Sequence, residues 1–359
     1  IFPLVASLGR TTEVWIVGGT HGNEYNGVFC AKRWKKNPAM LMDGVRSPHL
    51  LNVRTLVANP LAHQRNRRFL DDDLNRQFDV KRLATLTSGT DDEGDQESYE
   101  QSRAKAINSV LGPKVEGDEE GKLSAVDFVI DLHSTTSNMG CTLIVDAWSK
   151  RALRAAAYVL EQSGGSIKGF PVRILLTGQP SRLESPFLCS CGKEGIEIEL
   201  GPTPQGVMRH DLVECFTETC QLLLNFLAIE AEGGNPELPE EVPVFNYDHT
   251  GKLRWPIDER GFPTAIVHKD FQDRDYQLLK PGDPLFETID GRTMRYDPTS
   301  SSKTRTDDGA CEPSVGEEAN GAGDEVCGIF INEGAYYYAQ SGVGVGLVRP
   351  GLAPVPPKA

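Results

Sequence analysis

A histidine and a glutamate three residues apart are the side chains of this sequence best placed to do chemistry. His21 and Glu24 directly follow the run 14–20, which is apolar at its start and rich in glycine at its end. Zinc hydrolases hold their metal with two histidines and one carboxylate and leave a fourth position for water. A third ligand is therefore expected downstream, and the best candidate is His133, which ends the apolar run 126–132. Two neighbouring parallel strands would bring these residues to one sheet edge, and the pattern predicts a catalytic zinc site.

Two further segments carry groups that suit a pocket. The stretch 67–76 places three arginines and an asparagine among acids, and arginine offers a planar fork to a carboxylate. The alternative is a charged surface loop. In the run 196–200, apolar residues alternate with Glu197 and Glu199, so both glutamates point to one face of a strand. An acid on a covered face needs a partner or a function, and we expect Glu197 to pair with a cation at the sheet edge.

The order of apolar patterns predicts the architecture. Strand-like runs alternate with helical patterns to about residue 227, which indicates parallel β-α-β units. From 237 onward, short β-prone runs are separated by proline, glycine and aspartate. Because single cores stop growing near ~250–300 residues, we expect two domains, an α/β domain at 1–235 and a smaller β-rich domain at 236–359. Within the second, 298–325 has almost no large apolar residue and predicts a disordered surface insertion.

Composition narrows the classes of partner. The formal net charge of −14 disfavours nucleic acid, because phosphate binding needs clustered lysine and arginine. No apolar run approaches the ~20 residues of a membrane helix, so we expect no membrane partner. The eight cysteines show no disulfide framework, which favours reduced thiols and a cytoplasmic location. The sequence begins with Ile1 rather than methionine, so the question whether a targeting segment lies outside it stays open. We expect a small-molecule substrate and allow for a homo-oligomer.

Six ordered motifs resemble the aspartoacylase family of zinc-dependent amidohydrolases, which includes the aminoacylase that acts on N-acyl aromatic amino acids. The resemblance extends from about Val14 to about Tyr338, nearly the whole chain. The motifs lie at 18–24, 73–76, 131–140, 199–207, 278–284 and 331–337. The resemblance implies a zinc-carboxypeptidase-like mixed sheet flanked by helices, with one Zn²⁺ per chain. It implies hydrolysis of the amide bond of N-acyl amino acids.

The same resemblance assigns roles to single residues. Glu199 matches the family's general base and acid, and Arg68 matches the arginine that stabilises the developing oxyanion. Asn75 and Arg76 match residues that hold the substrate's α-carboxylate, and Tyr336 matches a tyrosine that closes the site. Independently, a carboxylate next to a metal-bound imidazole often orients it, and Asp131 is a candidate for that position beside His133.

One departure from the family bears on the substrate. Aspartoacylase proper has an arginine about ten residues before the catalytic glutamate, which binds the β-carboxylate of N-acetylaspartate. Ten residues before Glu199 stands Cys189, and neither Arg182 nor Lys193 aligns cleanly with it. If no other side chain replaces this arginine, we expect the pocket to prefer N-acetyl amino acids with apolar or aromatic side chains over N-acetylaspartate. The alternatives are a related desuccinylase or zinc exopeptidase, and a catalytically silent protein that binds metal or acyl amino acids.

Overall fold

The computed structural model of the chain describes residues 11–84, 97–247, 251–299, 304–306, 325–338 and 343–358. The strands are β1 Thr12–Gly18, β2 Leu51–Val57, β3 Phe128–Ser134, β4 Gly140–Asp146, β5 Ser166–Ile167, β6 Phe170–Thr177, β7 Glu194–Gly201, β8 Glu241–Tyr247, β9 Lys252–Arg254, β10 Ala265–Val267, β11 Pro284–Thr288, β12 Thr293–Tyr296, β13 Thr304–Thr306, β14 Cys327–Ile329 and β15 Val343–Pro354. The helices are α1 Tyr25–Lys36, α2 Ala39–Met42, α3 Pro60–Gln64, α4 Val80–Ala84, α5 Tyr99–Leu111, α6 Lys150–Gln162, α7 His210–Ala231 and α8 Ala335–Tyr338.

A large mixed sheet organises the molecule. Its strand order is β14-β15-β8-β6-β4-β7-β3-β1-β2 in the described part of the chain, with β5 and β9 attached at its sides. Strands β2, β1, β3 and β7 run parallel, whereas β4 is antiparallel to β7 and parallel to β6. Helices cover both faces, because α1, α6 and α7 share one core cluster and α5 belongs to another. The expected mixed sheet flanked by helices is confirmed.

The two faces of β3 and β7 differ sharply. Every residue of β3 is buried, and the alternation predicted for β7 places its apolar residues in the largest core. The β3 and β7 residues in that core are Ile130, Leu132, Ile196, Ile198 and Leu200. Each such side chain contributes roughly 1.5–3 kcal/mol when it is removed from water. The opposite face carries Asp131 and His133, which stand in register with Glu197 and Glu199.

Helix α7 is the longest helix of the described residues. It spans His210–Ala231, and its length and apolar composition would suit a membrane span. Scattered polar residues such as Glu214 and Gln221 interrupt its apolar residues, so the sequence indicates an amphipathic helix at 211–231 and no apolar run of that length. Half of its residues are buried, among them Phe216, Leu223 and Phe226 in the largest core. Packing against α1, α2 and α6 accounts for this apolar surface.

The C-terminal part is rich in β-strands, as expected, but it does not stand apart from the large sheet. A four-stranded antiparallel sheet, β10-β11-β12-β13, packs around its own core, which includes Trp255, Phe271 and Phe286. Strand β8 pairs with β6 of the large sheet, and β15 pairs with β8. Elements after residue 235 therefore complete the sheet that the first 235 residues begin.

The predicted insertion at 298–325 lies mostly outside the described residues. Within it, Thr304–Thr306 form β13, which pairs with β12 and so is ordered. For 300–303 and 307–324, disorder stays a prediction. The seven described cysteines are free and buried, in agreement with reduced thiols, and Cys311 lies outside the described residues.

Candidate active site

Three side chains converge at the ends of β1 and β3. The Nδ1 atom of His21 lies 2.6 Å from Oε1 of Glu24 and 3.2 Å from Nδ1 of His133. The second oxygen of Glu24 lies 3.2 Å from Nδ1 of His133. All three residues are buried, and their ligand atoms lie close enough together to hold one metal ion. The spacing seen in the sequence therefore becomes a metal-binding group in space.

Tight packing of the loop after β1 brings His21 and Glu24 to this position. Gly19 has a φ of +73°, a conformation that side chains other than glycine rarely adopt. A Cβ atom at Gly22 would lie 2.2 Å from the backbone nitrogen of His63 at α3. The glycines of this motif thus allow the chain to turn sharply beneath α3, and Glu24 then precedes α1 directly.

A carboxylate holds the far nitrogen of each imidazole. His133 Nε2 lies 2.9 Å from Asp131, whose carboxylate also accepts a hydrogen bond from the Thr20 hydroxyl at 2.8 Å. His21 Nε2 lies 3.0 Å from Asp73. Histidines that bind metals characteristically donate their other N–H to a carboxylate. Asp131 therefore has the expected position, and Asp73 is a second such residue that the sequence reasoning missed.

This arrangement fits a cation. When both Nε2 atoms donate to carboxylates, both Nδ1 atoms carry a lone pair that faces the Glu24 carboxylate. Two imidazole nitrogens and one carboxylate, all of them acceptors, then meet without a hydrogen atom between them. Burial alone would lower the pKa of His133, but the charges of Asp131 and Glu24 outweigh burial and raise that pKa well above its usual range. The cluster thus attracts positive charge, and a mixed nitrogen and oxygen donor set suits zinc.

Glu199 lies beside this group on the neighbouring strand. Its Cα is in register with His133 on β3 and with Thr142 on β4. Burial raises the pKa of Glu199 well above its usual range, and the negative charges of Glu24 and Glu333 raise it further. A carboxyl group that resists losing its proton and faces a pocket is suited to proton transfer.

The stretch 67–76 forms one wall of the site. Arg68 donates to Asp73 at 3.1 Å and lies 3.5 Å from Glu24. The Asn75 amide donates to Glu197 at 2.9 Å, and its oxygen accepts from the backbone N–H of Leu188 at 2.8 Å. Asn75 is therefore locked at both ends, which leaves one amide hydrogen for a ligand.

Arg76 is held differently from its neighbour. Its guanidinium donates to the backbone oxygen of Asn75 at 2.9 Å and lies over the ring of Phe187, 5.1 Å from the ring centre. A stacked guanidinium keeps most of its donors available for an anion. Arg68 and Arg76 are the two arginines that line the pocket in the described part of the chain.

A buried glutamate of α5 anchors this arginine wall. The Glu100 carboxylate accepts hydrogen bonds from the backbone N–H groups of Leu70, Asp71 and Asp72 at 2.8, 3.0 and 3.2 Å, and from the Asn59 amide at 3.0 Å. Sequence reasoning missed Glu100, because it looked like an ordinary acidic residue in a first helical turn. Its contacts fix the backbone from which Arg68 and Asp73 project.

Residues of the C-terminal part form one side of the pocket. Glu333 accepts hydrogen bonds from the hydroxyl of Thr135 and from the backbone N–H of Thr136 at 2.9 Å. Asp275 accepts from the backbone N–H of Ile331 at 3.0 Å. Tyr336 lines the pocket, as the resemblance implies. Burial raises the pKa of Tyr336 well above its usual range, and the nearby Tyr247 and Glu333 raise it further.

All eight predicted site residues line one cavity of about 160 Å³. Most of the other lining residues are apolar or aromatic, namely Ile144, Leu175, Phe187, Tyr247, Phe330 and Ala335. The polar residues Ser134, Thr135, Thr177, Glu197 and Glu333 complete the lining. The cavity therefore has a charged end at the metal-binding group and an apolar end beyond it.

Neither substitute for the missing arginine reaches this cavity. Arg182 is buried elsewhere and donates to the backbone oxygens of Gly192 and Asp118 at 2.8 and 2.9 Å. Lys193 pairs with Asp127 at 2.5 Å.

The expectation that Glu197 pairs with a cation is wrong: its partner is the neutral amide of Asn75, because the strand directs Glu197 into the pocket and not to the sheet edge.

Comparisons with known proteins agree with this geometry. Residues 10–227 match the succinylglutamate desuccinylase/aspartoacylase catalytic domain, and residues 242–302 match the AstE/AspA barrel-sandwich hybrid domain. The chain is 36% identical over 332 residues to an N-acyl-aromatic-L-amino acid amidohydrolase (carboxylate-forming) of Xenopus tropicalis, which covers 92% of this chain and 90% of the relative. It is 32% identical over 328 residues to a probable aspartoacylase of Trichodesmium erythraeum, with coverage of 91% and 94%.

The fold is also similar to a solved structure. The crystal structure of murine aminoacylase 3 matches with a TM-score of 0.77 and 30% identity, and the match covers 97% of this chain and 98% of that one. Sequence and fold thus agree over both parts of the molecule. The chain belongs to the succinylglutamate desuccinylase/aspartoacylase family.

Proposed function

We propose that this protein hydrolyses the amide bond of N-acyl amino acids with one zinc ion held by His21, Glu24 and His133. The observation that carries the proposal is the convergence of two imidazole nitrogens and one carboxylate beside Glu199 in one pocket. A zinc ion there would lower the pKa of a water molecule toward ~7 and polarise the amide oxygen.

The residues of the chain then have distinct tasks. Glu199 accepts the proton of the attacking water and returns it to the leaving amine, because its carboxyl group faces the pocket without being one of the three ligands. Arg68 stabilises the negative charge that develops on the amide oxygen, a contribution of roughly 3 kcal/mol for a well-placed donor. Asn75 and Arg76 hold the α-carboxylate, and Tyr336 of the C-terminal part excludes water from the pocket.

We further propose that the preferred substrates have apolar or aromatic side chains. The apolar end of the pocket contains Ile144, Leu175 and Phe187, and no lysine lines the cavity in the described residues. A second carboxylate would be buried there without a cation, which is costly. The name of the Xenopus tropicalis relative, an N-acyl-aromatic-L-amino acid amidohydrolase, supports the same choice.

An assay of carboxylate release over a panel of N-acyl amino acids, with metal content measured on the same samples, tests this function. We expect about one zinc per chain and a higher kcat/KM for N-acetyltyrosine than for N-acetylaspartate. Bound zinc without hydrolysis of any member would indicate a silent binding protein. Activity confined to succinylated amino acids or to peptides would indicate a desuccinylase or an exopeptidase, and a ratio that strongly favours N-acetylaspartate would refute the proposed preference.

A further inference from the structure

Glu197 is a buried acid that the proposed reaction does not use. It lies on β7 two residues before Glu199 and on the same face, in register with Asp131 of β3 and Ile144 of β4. It is 6% exposed and lines the cavity. Residues two apart on a strand are separated by about 7 Å. Glu197 therefore stands roughly one side-chain length deeper in the pocket than the proposed catalytic carboxylate.

The partners of Glu197 leave its charge uncompensated. Its carboxylate accepts a hydrogen bond from the Asn75 amide at 2.9 Å and a long, weak one from the thiol of Cys189 at 4.0 Å, both at the same oxygen. Across the described ranges, no lysine or arginine forms an ion pair with it. His133 can carry positive charge and offers a ring nitrogen within 4.8 Å of the Glu197 carboxylate, but its Nε2 is already held by Asp131.

A carboxylate in this situation is costly unless something completes its hydrogen bonds. Burial of an unpaired charge costs several kcal/mol, and native proteins almost always supply a partner. Burial also raises the pKa of Glu197, in keeping with a poorly compensated charge. Because the carboxylate borders a pocket open to ligands, a hydrogen-bond donor of the substrate can be its missing partner.

We propose that Glu197 determines specificity by accepting a hydrogen bond from an O–H or N–H donor at the tip of the substrate's amino-acid side chain. The inference rests on the proposed amidohydrolase function. Ile144, Leu175 and Phe187 contact the apolar body of that side chain, and Glu197 receives its polar tip. A side-chain carboxylate would face Glu197 as a like charge, so acidic substrates are rejected by repulsion as well as by the lack of a cation.

Two matched substrate pairs, each differing in one donor, test the proposal. N-acetyltyrosine is compared with N-acetylphenylalanine, and N-acetyllysine with N-acetylnorleucine. A hydrogen bond to a charged group contributes about 1.5–3 kcal/mol, so in the wild type we expect at least one donor-bearing member to have a kcat/KM about tenfold higher than its partner. E197Q keeps an acceptor for Asn75 but removes the charge. It should reduce that ratio at least threefold and raise kcat/KM for N-acetylaspartate.

E194Q is the matched control, because Glu194 lies on the same strand but bonds to Ser149 away from the pocket. It should leave both ratios unchanged. Equal rates within both pairs in the wild type would overturn the proposal, as would ratios that E197Q does not alter. A second metal equivalent held beside Glu197 would do the same. If the wild type hydrolyses no N-acyl amino acid, the proposed function is refuted. Calorimetry that compares the binding of tyrosine with that of phenylalanine then still decides whether Glu197 prefers a ligand with a hydrogen-bond donor.

Discussion

The two faces of β3 and β7 use the same backbone for opposite purposes. One face presents Ile130, Leu132 and Ile198 to α1, α6 and α7 in the largest core. The other presents Asp131, His133 and Glu199, whose polar neighbours include Thr20, His21 and Glu24 from the segment after β1 and Glu333 from the C-terminal part. Apolar packing depends on volume and tolerates similar shapes, whereas each polar group depends on particular partners. The first face should therefore govern stability, and the second should govern chemistry.

Loss of a proposed metal ligand should have the largest effect. H133A removes one of three ligands, so we expect both bound zinc and hydrolysis to be lost. Metal analysis and the carboxylate-release assay measure the two quantities. H210A serves as control, since the side chain of His210 is 81% exposed. Full zinc occupancy in H133A and in H21A would refute the ligand assignment.

Substitution of the proposed base should separate binding from chemistry. E199Q keeps size and polarity but removes the proton acceptor, so zinc should remain while turnover falls by on the order of 10²-fold or more. Zinc content and kcat are measured on the same preparation. If E199Q stays active and E197Q is the variant without turnover, the two strand positions have been assigned the wrong roles.

A cavity on the apolar face should affect stability instead. I198A is adjacent to the proposed base, yet it removes a fully buried side chain from the largest core and should lower the free energy of unfolding by about 2–5 kcal/mol. Denaturant unfolding measures that loss. The folded fraction should keep its zinc and its kcat. A large fall in kcat per folded molecule would show that the two faces are not independent.

The anchor of the arginine wall should have an intermediate effect on substrate binding. In the wild type, one carboxylate oxygen of Glu100 accepts hydrogen bonds from two backbone N–H groups, and E100Q can replace that oxygen with an amide N–H that cannot accept them. The lost hydrogen bonds should cost about 1–3 kcal/mol, so we expect KM to rise about tenfold with zinc content unchanged. E120Q is the control, because Glu120 lies on the surface and pairs with Lys122. An unchanged KM would contradict the anchoring role.

The effect expected at Asp275 depends on pH. Burial raises the pKa of Asp275 to about 7, whereas an unfolded aspartate titrates near ~3.9. The folded state therefore binds the proton more tightly, and the contribution of Asp275 to stability is full below about pH 4 and is lost as pH rises through about 7. D275N should be more stable than the wild type by a margin that grows over this range to a few kcal/mol. Melting temperatures at several pH values measure it, and a margin independent of pH would contradict the assignment.

Local pattern was enough for part of this architecture. The alternation at 196–200 placed Ile198 and Glu199 on opposite faces, and the strand-ending positions of His21 and His133 brought them together as expected. Partners distant in sequence were not predictable. Asp73 lies 52 residues from His21, and Glu100 lies 28 to 30 residues from the backbone it binds. Nothing in composition or period says which distant loop will meet a given strand end.

Strand β15 has a consequence for how the chain can fold. Its first half pairs with β9 and β14, and its second half, Arg349–Pro354, pairs with β8, which in turn borders β6. One continuous segment therefore joins β9 and β14 to β8, the strand through which the C-terminal part pairs with β6 of the first 235 residues. During synthesis, β8 keeps an open edge until residues 349–354 have left the ribosome, and open edges invite pairing with other chains. Shortening the protein at its C-terminal strand should therefore produce aggregation of the whole chain and not an active N-terminal fragment.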